Sequence, residues 1–314
     1  MALLSRPEIE QWLTSTYTLE GFEGVKLVRS HTNDVYEIST SSKRYILKIY
    51  GHHWRTENDI RYEVALIEHL ARKGLRVAQA IAGISGQHVY AIPTPKGHQF
   101  SVMFEYADGQ KPQPPFSNEL YVAFGRAIAE MHKLSDDFVT EYNRKPLDLS
   151  AIIESPIKLA LPHIKNGDDR FFLQEIAQTI TRKMNALPLS DLDWGPIHGD
   201  ATLDNLHVTS DNQILLYDFD SGGPGWRAAD LQGWAYHNDP YTEKWEAFKQ
   251  GYASVRQLRP LDLEAAPYLA VAWLIWGLQI DLEQRILGQG DTKIAEYLAM
   301  QIGSIRNQAQ IALG

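Results

Sequence analysis

Apolar residues recur along this chain first with the period of a helix and then with that of strands. Ser5 and Glu8 form a capping-box pair ahead of a stripe of Ile9, Trp12 and Leu13, which predicts a leading helix. From Val25 to Ile38 the pattern becomes two strands, VKLVRS and DVYEIS, joined by a turn at His31-Thr32-Asn33. RYILKIY predicts a third strand, with Tyr45, Leu47 and Ile49 on one side and Lys48 on the other. Helical spacing returns from Glu57 to Lys73, with Leu66, Ile67 and Leu70 as the stripe and Gly74 as the stop. HVYAIP and QFSVMFEY predict two further strands, and the polar, Pro-rich ADGQKPQPP reads as a linker.

Beyond the linker the pattern is mostly helical. A helix starts near Ser117 with Phe124, Ile128 and Met131 as its stripe, residues 146–190 read as helices and loops, and helices from Tyr241 onward close the chain. The longest apolar run, Ala265 to Leu278, contains Pro267 and Gly277. It falls short of the ~20 residues a bilayer span needs, so a buried helix is expected. The expected fold class is α+β in two lobes. Residues 1–106 would hold a leading helix, a five-stranded antiparallel sheet and one main helix; residues 107–314 would form a larger helical lobe.

Composition narrows the function classes. With 44% hydrophobic and 22% charged residues the chain is ordinary for a globular protein. Its net charge of −9 argues against a nucleic-acid-binding surface. It has no cysteine, which excludes disulfides and thiolate metal sites and fits a reducing, cytoplasmic compartment. The opening MALLSRPEIEQWL has too short an apolar run, too soon followed by acids, for a signal peptide. Neither a membrane nor a nucleic-acid partner is expected.

Two charges fall where apolar residues are expected. Lys48 sits in mid-strand, and Glu63 precedes Leu66 and Ile67 by three and four residues, on their face of the helix. A carboxylate facing a core needs a cation, and Lys48 is the first candidate. Asp59, one turn earlier on the same face, is the alternative acid.

The chemistry concentrates in HGDATLDN. Asp200 follows His198 by two residues, Asn205 follows it by seven, and Asp218 comes thirteen residues past Asn205 at the end of ILLYDFD. Protein kinases space H-R-D-x-x-x-x-N and D-F-G in the same way. Phosphoryl transfer needs positioning and neutralised phosphate charge more than covalent help. Mg²⁺ is a hard cation, and a carboxylate and an amide carbonyl supply the oxygens it prefers. The base must stand apart from those ligands, facing the hydroxyl.

The ordered set of Lys48, Glu63, FEYADG, HGDATLDN, YDFD and GPGWRAADL resembles the aminoglycoside phosphotransferase superfamily, which includes choline, homoserine and methylthioribose kinases. The resemblance runs from about Val25 to Arg285. SHTNDVYEI, KIYGHHWRT and DFDSGGPG are also similar to the bacterial stress-response kinase branch, which phosphorylates protein Ser/Thr. The resemblance implies a protein-kinase-like fold and transfer of the ATP γ-phosphate, with Mg²⁺, to the hydroxyl of a small-molecule acceptor. It implies Asp200 as base, Asn205 and Asp218 as metal ligands with Asp220 assisting, and Lys48 with Glu63 on the α/β-phosphates. Glu105 and Tyr106 would form the adenine hinge with Met103 behind it. His198 would pack and fix backbone, and so would Asp230.

Two features depart from the pattern. SHTND has no glycine, so phosphate contact is expected to pass to Ser30, Thr32 or backbone amides. Asp204 stands where relatives carry a neutral residue, as a third acid near the metal or a plain loop residue. The glycines of SGGPG suit a turn passing close to a metal–phosphate. Asp239, Glu243 and Glu246 suit a cationic acceptor or a solvated helix face, and Trp234, Trp273 and Trp276 a pocket or the core. A small-molecule kinase is the leading function; a protein Ser/Thr kinase and a non-catalytic nucleotide-binding module are the alternatives.

Overall fold

The structure, a computed structural model, describes residues 4–52, 54–94, 97–231, 243–286 and 289–314. Helix α1 (Arg6–Thr16) begins with the expected capping box of Ser5 and Glu8 and buries Ile9 and Leu13. Strands β1 (Phe22–Ser30), β2 (Asp34–Thr40) and β3 (Arg44–Ile49) form an antiparallel meander. Helix α2 (Glu57–Arg72) follows, then β4 (Ala80–Ile81), β5 (Val89–Thr94) and β6 (Gly97–Glu105). The sheet runs β1-β2-β3-β6-β4, with β5 also on β6. It thus has six strands among the described residues, not five; β4 is two residues long, too short to show a periodicity.

The two faces of the sheet have different partners. Ile38, Leu47, Ile49, Ile92 and Met103 pack with α1 in one cluster, while Val89, Val102 and Phe104 pack toward α2 in the larger core. Lys48 lies opposite Val102 on β6, on the α2 side. Strand alternation therefore fixes which residues can reach the cleft below α2.

The remainder is largely helical. Helix α3 (Asn118–Leu134) is capped by Ser117 and packs on α6 (Glu243–Ala253). Helices α4 (Ser155–Ala160) and α5 (Gly167–Asn185) flank α7 (Pro260–Asp281), and α8 (Asp291–Leu313) covers it. The apolar run of α7 is a core helix, with Leu269, Val271 and Ile275 almost wholly buried. Two ladders that the pattern hid carry the catalytic stretch: β7 (Trp194–Ile197) with β10 (Gly223–Trp226), and β8 (Leu206–Val208) with β9 (Ile214–Leu216).

Candidate active site

The two ladders hold HGDATLDN and YDFD side by side. A side chain on Gly199 would strike the carbonyl of Ser221 at 2.3 Å, and one on Gly222 the carbonyl of Ile197 at 2.3 Å. Glycine is required here because two backbones touch, not because a phosphate approaches. GPGW is likewise a strand of the β7 ladder rather than the expected turn.

Below this contact lies Asp230, 1% exposed. Its Oδ2 accepts from the amide of His198 at 2.7 Å and its Oδ1 from that of Gly199 at 2.8 Å. Its Oδ2 also lies 2.9 Å from His132 Nε2, whose ring is held from the other side by the Tyr252 hydroxyl at 2.8 Å. His198 is fully buried; its Nδ1 accepts from the Asp200 amide, so its Nε2 donates to the Tyr217 carbonyl at 3.0 Å. Its ring rests on Phe219 with centroids 4.4 Å apart. The histidine is thus a splice between the two loops. Trp273 adds an indole hydrogen bond to the Gly199 carbonyl at 2.7 Å and is 5% exposed, a core residue that braces the loop. Trp276 is buried beside it. Trp234 and Asp239 lie outside the described residues.

A cleft of about 400 Å³ opens between the sheet and these loops. Lys48, Glu63, Glu105, Tyr106, Asn205 and Asp218 line it. Lys48 is 4% exposed, and its Nζ lies 2.5 Å from Asp218, 3.4 Å from Asp220 and 3.5 Å from Glu63. Burial works against its charge, but the three carboxylates outweigh burial and raise its pKa. Glu63 also accepts from the Tyr50 hydroxyl at 3.0 Å, and burial raises its pKa. Asp59 is not the partner of Lys48: its carboxylate caps α2 by accepting from the Thr56 amide at 2.9 Å.

Asp218 sits at φ 67° and ψ 59°, the left-handed region that a non-glycine residue occupies only when its surroundings hold it there. Burial opposes its ionisation, and Lys48 and Arg29 more than reverse that, so its pKa is lowered. Arg29 Nη2 donates to Asp218 Oδ2 at 2.8 Å. Asn205 turns its amide nitrogen to Asp200 Oδ2 at 2.7 Å, which leaves its carbonyl oxygen as the atom able to ligate a cation. Asp200 is reached by solvent but ringed by protein. Burial, aided by the charges of Asp218 and Asp220, raises its pKa to about 6 against the pull of His198 and Asn205.

Several expected residues stand elsewhere. Asp220 is 6% exposed and is not among the residues lining the cleft, although its Oδ2 lies 3.4 Å from Lys48 Nζ. Its carboxylate accepts from Asn33 Nδ2 and from Trp54 Nε1 at 3.3 Å, and its carbonyl from Arg55 and Arg144, so it ties the two halves together. Met103 points to α1 on the opposite face of the sheet, and Phe104, one residue on, lines the cleft instead. Ser30 and Thr32 do not line the cleft. The Ser30 hydroxyl donates to Asp34 at 2.5 Å, and the Thr32 carbonyl is pressed so close to Gly51 that a Cβ there would meet it at 2.1 Å. Asp204 pairs with Lys111 at 2.6 Å on the cleft rim. Glu243 and Glu246 are exposed, and Glu246 pairs with Lys249 at 2.8 Å, a solvated helix face.

The site fits a metal–nucleotide. Among the described residues no three His, Cys, Asp or Glu are gathered to hold a metal alone. A cation shared between one carboxylate, one amide carbonyl and phosphate oxygens needs no such cluster.

Comparison with known proteins agrees. Bacillus subtilis amicoumacin kinase is 27% identical over 290 residues, covering 86% of this chain and 84% of that protein. A homoserine kinase of Methylobacterium is 28% identical over 261 residues, covering 80% and 77%. The fold matches a solved amicoumacin kinase, in complex with AMP-PNP, Ca²⁺ and Ami, with TM-score 0.79 at 23% identity over 97% of this chain and 94% of that one. Residues 24–268, most of the chain, match the phosphotransferase enzyme family APH. With this kinase-like fold around that cleft, the chain belongs to the APH phosphotransferase family.

Proposed function

We propose that the protein transfers the γ-phosphate of ATP, with Mg²⁺, to a hydroxyl of a small molecule bearing an amino group. Asp200 is the general base, Asn205 and Asp218 hold the cation, and Lys48, fixed by Glu63, binds the α/β-phosphates. When bound, the cation neutralises charge on the phosphates being transferred. The observation that carries this reading is the meeting of Lys48, Asp218 and Asn205 on one cleft, with Asp200 hydrogen-bonded to Asn205 at its edge. A base pKa near 6 leaves the carboxylate ionised at neutral pH, yet more basic than an ordinary aspartate. The hinge Glu105–Tyr106, its tyrosine capped by Arg44 at 3.7 Å, is the adenine end. The amino-bearing acceptor rests on the relatives that act on amicoumacin and homoserine.

The test is an ADP-release screen over amino alcohols, hydroxy amino acids and aminoglycoside-type antibiotics. One class should stimulate turnover at least tenfold, and Asp200→Asn should abolish that stimulation. Label from γ-labelled ATP appearing only in protein bands of a lysate would overturn the small-molecule acceptor.

A further inference from the structure

We propose that Arg29 is the phosphate-positioning residue of this cleft, stored on Asp218 and handed to the nucleotide's triphosphate when a divalent cation takes that carboxylate. The proposal rests on the kinase reading above and goes beyond it in assigning the job of the missing glycine-rich loop.

Both oxygens of Asp218 are engaged, Oδ1 by Lys48 at 2.5 Å and Oδ2 by Arg29 at 2.8 Å. Each oxygen keeps a further lone pair, but a divalent cation on Asp218 would lie against these two positive side chains and repel whichever is less firmly held. Lys48 has a side chain 5% exposed and is held also by Glu63 and Asp220. Arg29 has a side chain 47% exposed at the end of a strand, so Arg29 is the one free to leave.

The backbone aims it there. The pairing of β1 with β2 slips between Leu27 and Arg29: Leu27 lies opposite Tyr36, and Arg29 opposite Val35. Without that bulge Arg29 would share a face with Leu27; with it Arg29 joins Val35 on the cleft side. Two other side chains of the β1–β2 turn are committed. The Ser30 hydroxyl is on Asp34, and Asn33 bridges Asp220 and the Gly51 amide. The hairpin therefore presents the cleft with a guanidinium, whose planar fork suits phosphate oxygens. Asp200, Asp218 and Asp220 all bear electrostatically on Arg29. A triphosphate entering beside them meets like charge unless a cation and Arg29 intervene.

The experiment is calorimetric titration of wild type, Arg29→Ala and Arg29→Lys with Mn²⁺ alone, with ATP–Mn²⁺ and with adenosine, after thermal melts confirm folding. Arg29→Ala should weaken ATP–Mn²⁺ about tenfold or more, the worth of charge-assisted hydrogen bonds. It should leave adenosine within about twofold and tighten Mn²⁺ alone, because the competitor for Asp218 is gone. Arg29→Lys should recover part of the ATP affinity. Wild type that binds ATP–Mn²⁺ beside an Arg29→Ala that binds it equally well overturns the proposal and leaves the kinase reading standing. Parallel loss of ATP and adenosine also overturns it, by showing a structural role. Wild type that takes up no ATP overturns the kinase reading and this proposal with it.

Discussion

Lys48 Nζ and Asp218 Oδ1, 170 residues apart in the chain, meet at 2.5 Å with Glu63 and Asp220 close behind. One buried ammonium thus serves three carboxylates. Lys48→Ala should cut turnover by at least ~10²-fold, since it removes charge aimed at the phosphates. It should also destabilise the fold by ~3–5 kcal/mol, as stripping the partner from a buried acid does. Denaturant melts of Lys48→Ala, Glu63→Ala and the double variant check this. The double variant should lose clearly less than the sum of the singles, because Lys48→Ala alone leaves the buried Glu63 carboxylate without a cation, whereas the double variant removes that carboxylate as well. Additive losses would mean the two do not act as a pair.

The pKa of Asp200, raised to about 6 chiefly by burial, sets a pH signature. The base works only when ionised, so kcat/KM should fall about tenfold per unit below pH 6. Stability moves the other way. The folded protein holds this proton more tightly than the unfolded chain, so the group contributes nothing adverse below its ordinary 3.8 and its full penalty above about 6. Asp200→Asn should therefore be inactive yet melt higher than wild type above pH 6, with the gap closing near pH 4. A variant that melts lower at pH 8 would contradict the crowding inferred here.

Much of this was legible in the sequence because the signals were local. The β3 alternation placed Lys48, the i+3 and i+4 spacing of α2 placed Glu63, and the catalytic letters stand within a few residues of one another. What stayed hidden depends on chain crossings. Asp220 reads as a second metal acid beside Asp218, and only the arrival of Asn33 and Trp54 from the other half shows that it is also a tie. Met103 and Phe104 are adjacent hydrophobes, and which one faces the cleft is set by the register of β6 on β3. Arg29 was invisible because a bulge reverses its side. The faint signal was an arginine next to a turn without glycine.

Asp220 and Asp218 should separate cleanly in a metal titration. Asp218→Asn should raise the Mg²⁺ concentration for half-maximal activity at least tenfold. Asp220→Asn should shift it less, since Asp220 does not line the cleft and its Oδ2 already serves Asn33, Trp54 and Lys48. Asp220→Ala orphans those buried donors and should cost about 2–4 kcal/mol of stability. An equal Mg²⁺ shift in both asparagine variants would show that Asp220 assists the metal as Asp218 does.

Asp230 is buried and does not line the cleft, yet it decides where Asp200 stands. Its two oxygens grip consecutive amides, His198 and Gly199, immediately ahead of the base, and the His132–Tyr252 pair fixes the carboxylate from behind. Burial opposes its charge, but His132 and the amides lower its pKa, so it remains a strong acceptor through neutral pH. Asp230→Ala would leave two buried amides and one nitrogen of the buried His132 ring without partners, a loss of ~3–5 kcal/mol. Asp230→Asn keeps the shape but can accept through one oxygen only, so one amide must face an NH₂. The catalytic loop should then shift, lowering kcat by about tenfold or more while nucleotide affinity, set by Lys48, Arg29 and the hinge, holds within about twofold. Paired kcat and ATP-binding measurements on Asp230→Asn check this: equal losses in both would show that Asp230 supports the fold as a whole and not the placement of the base.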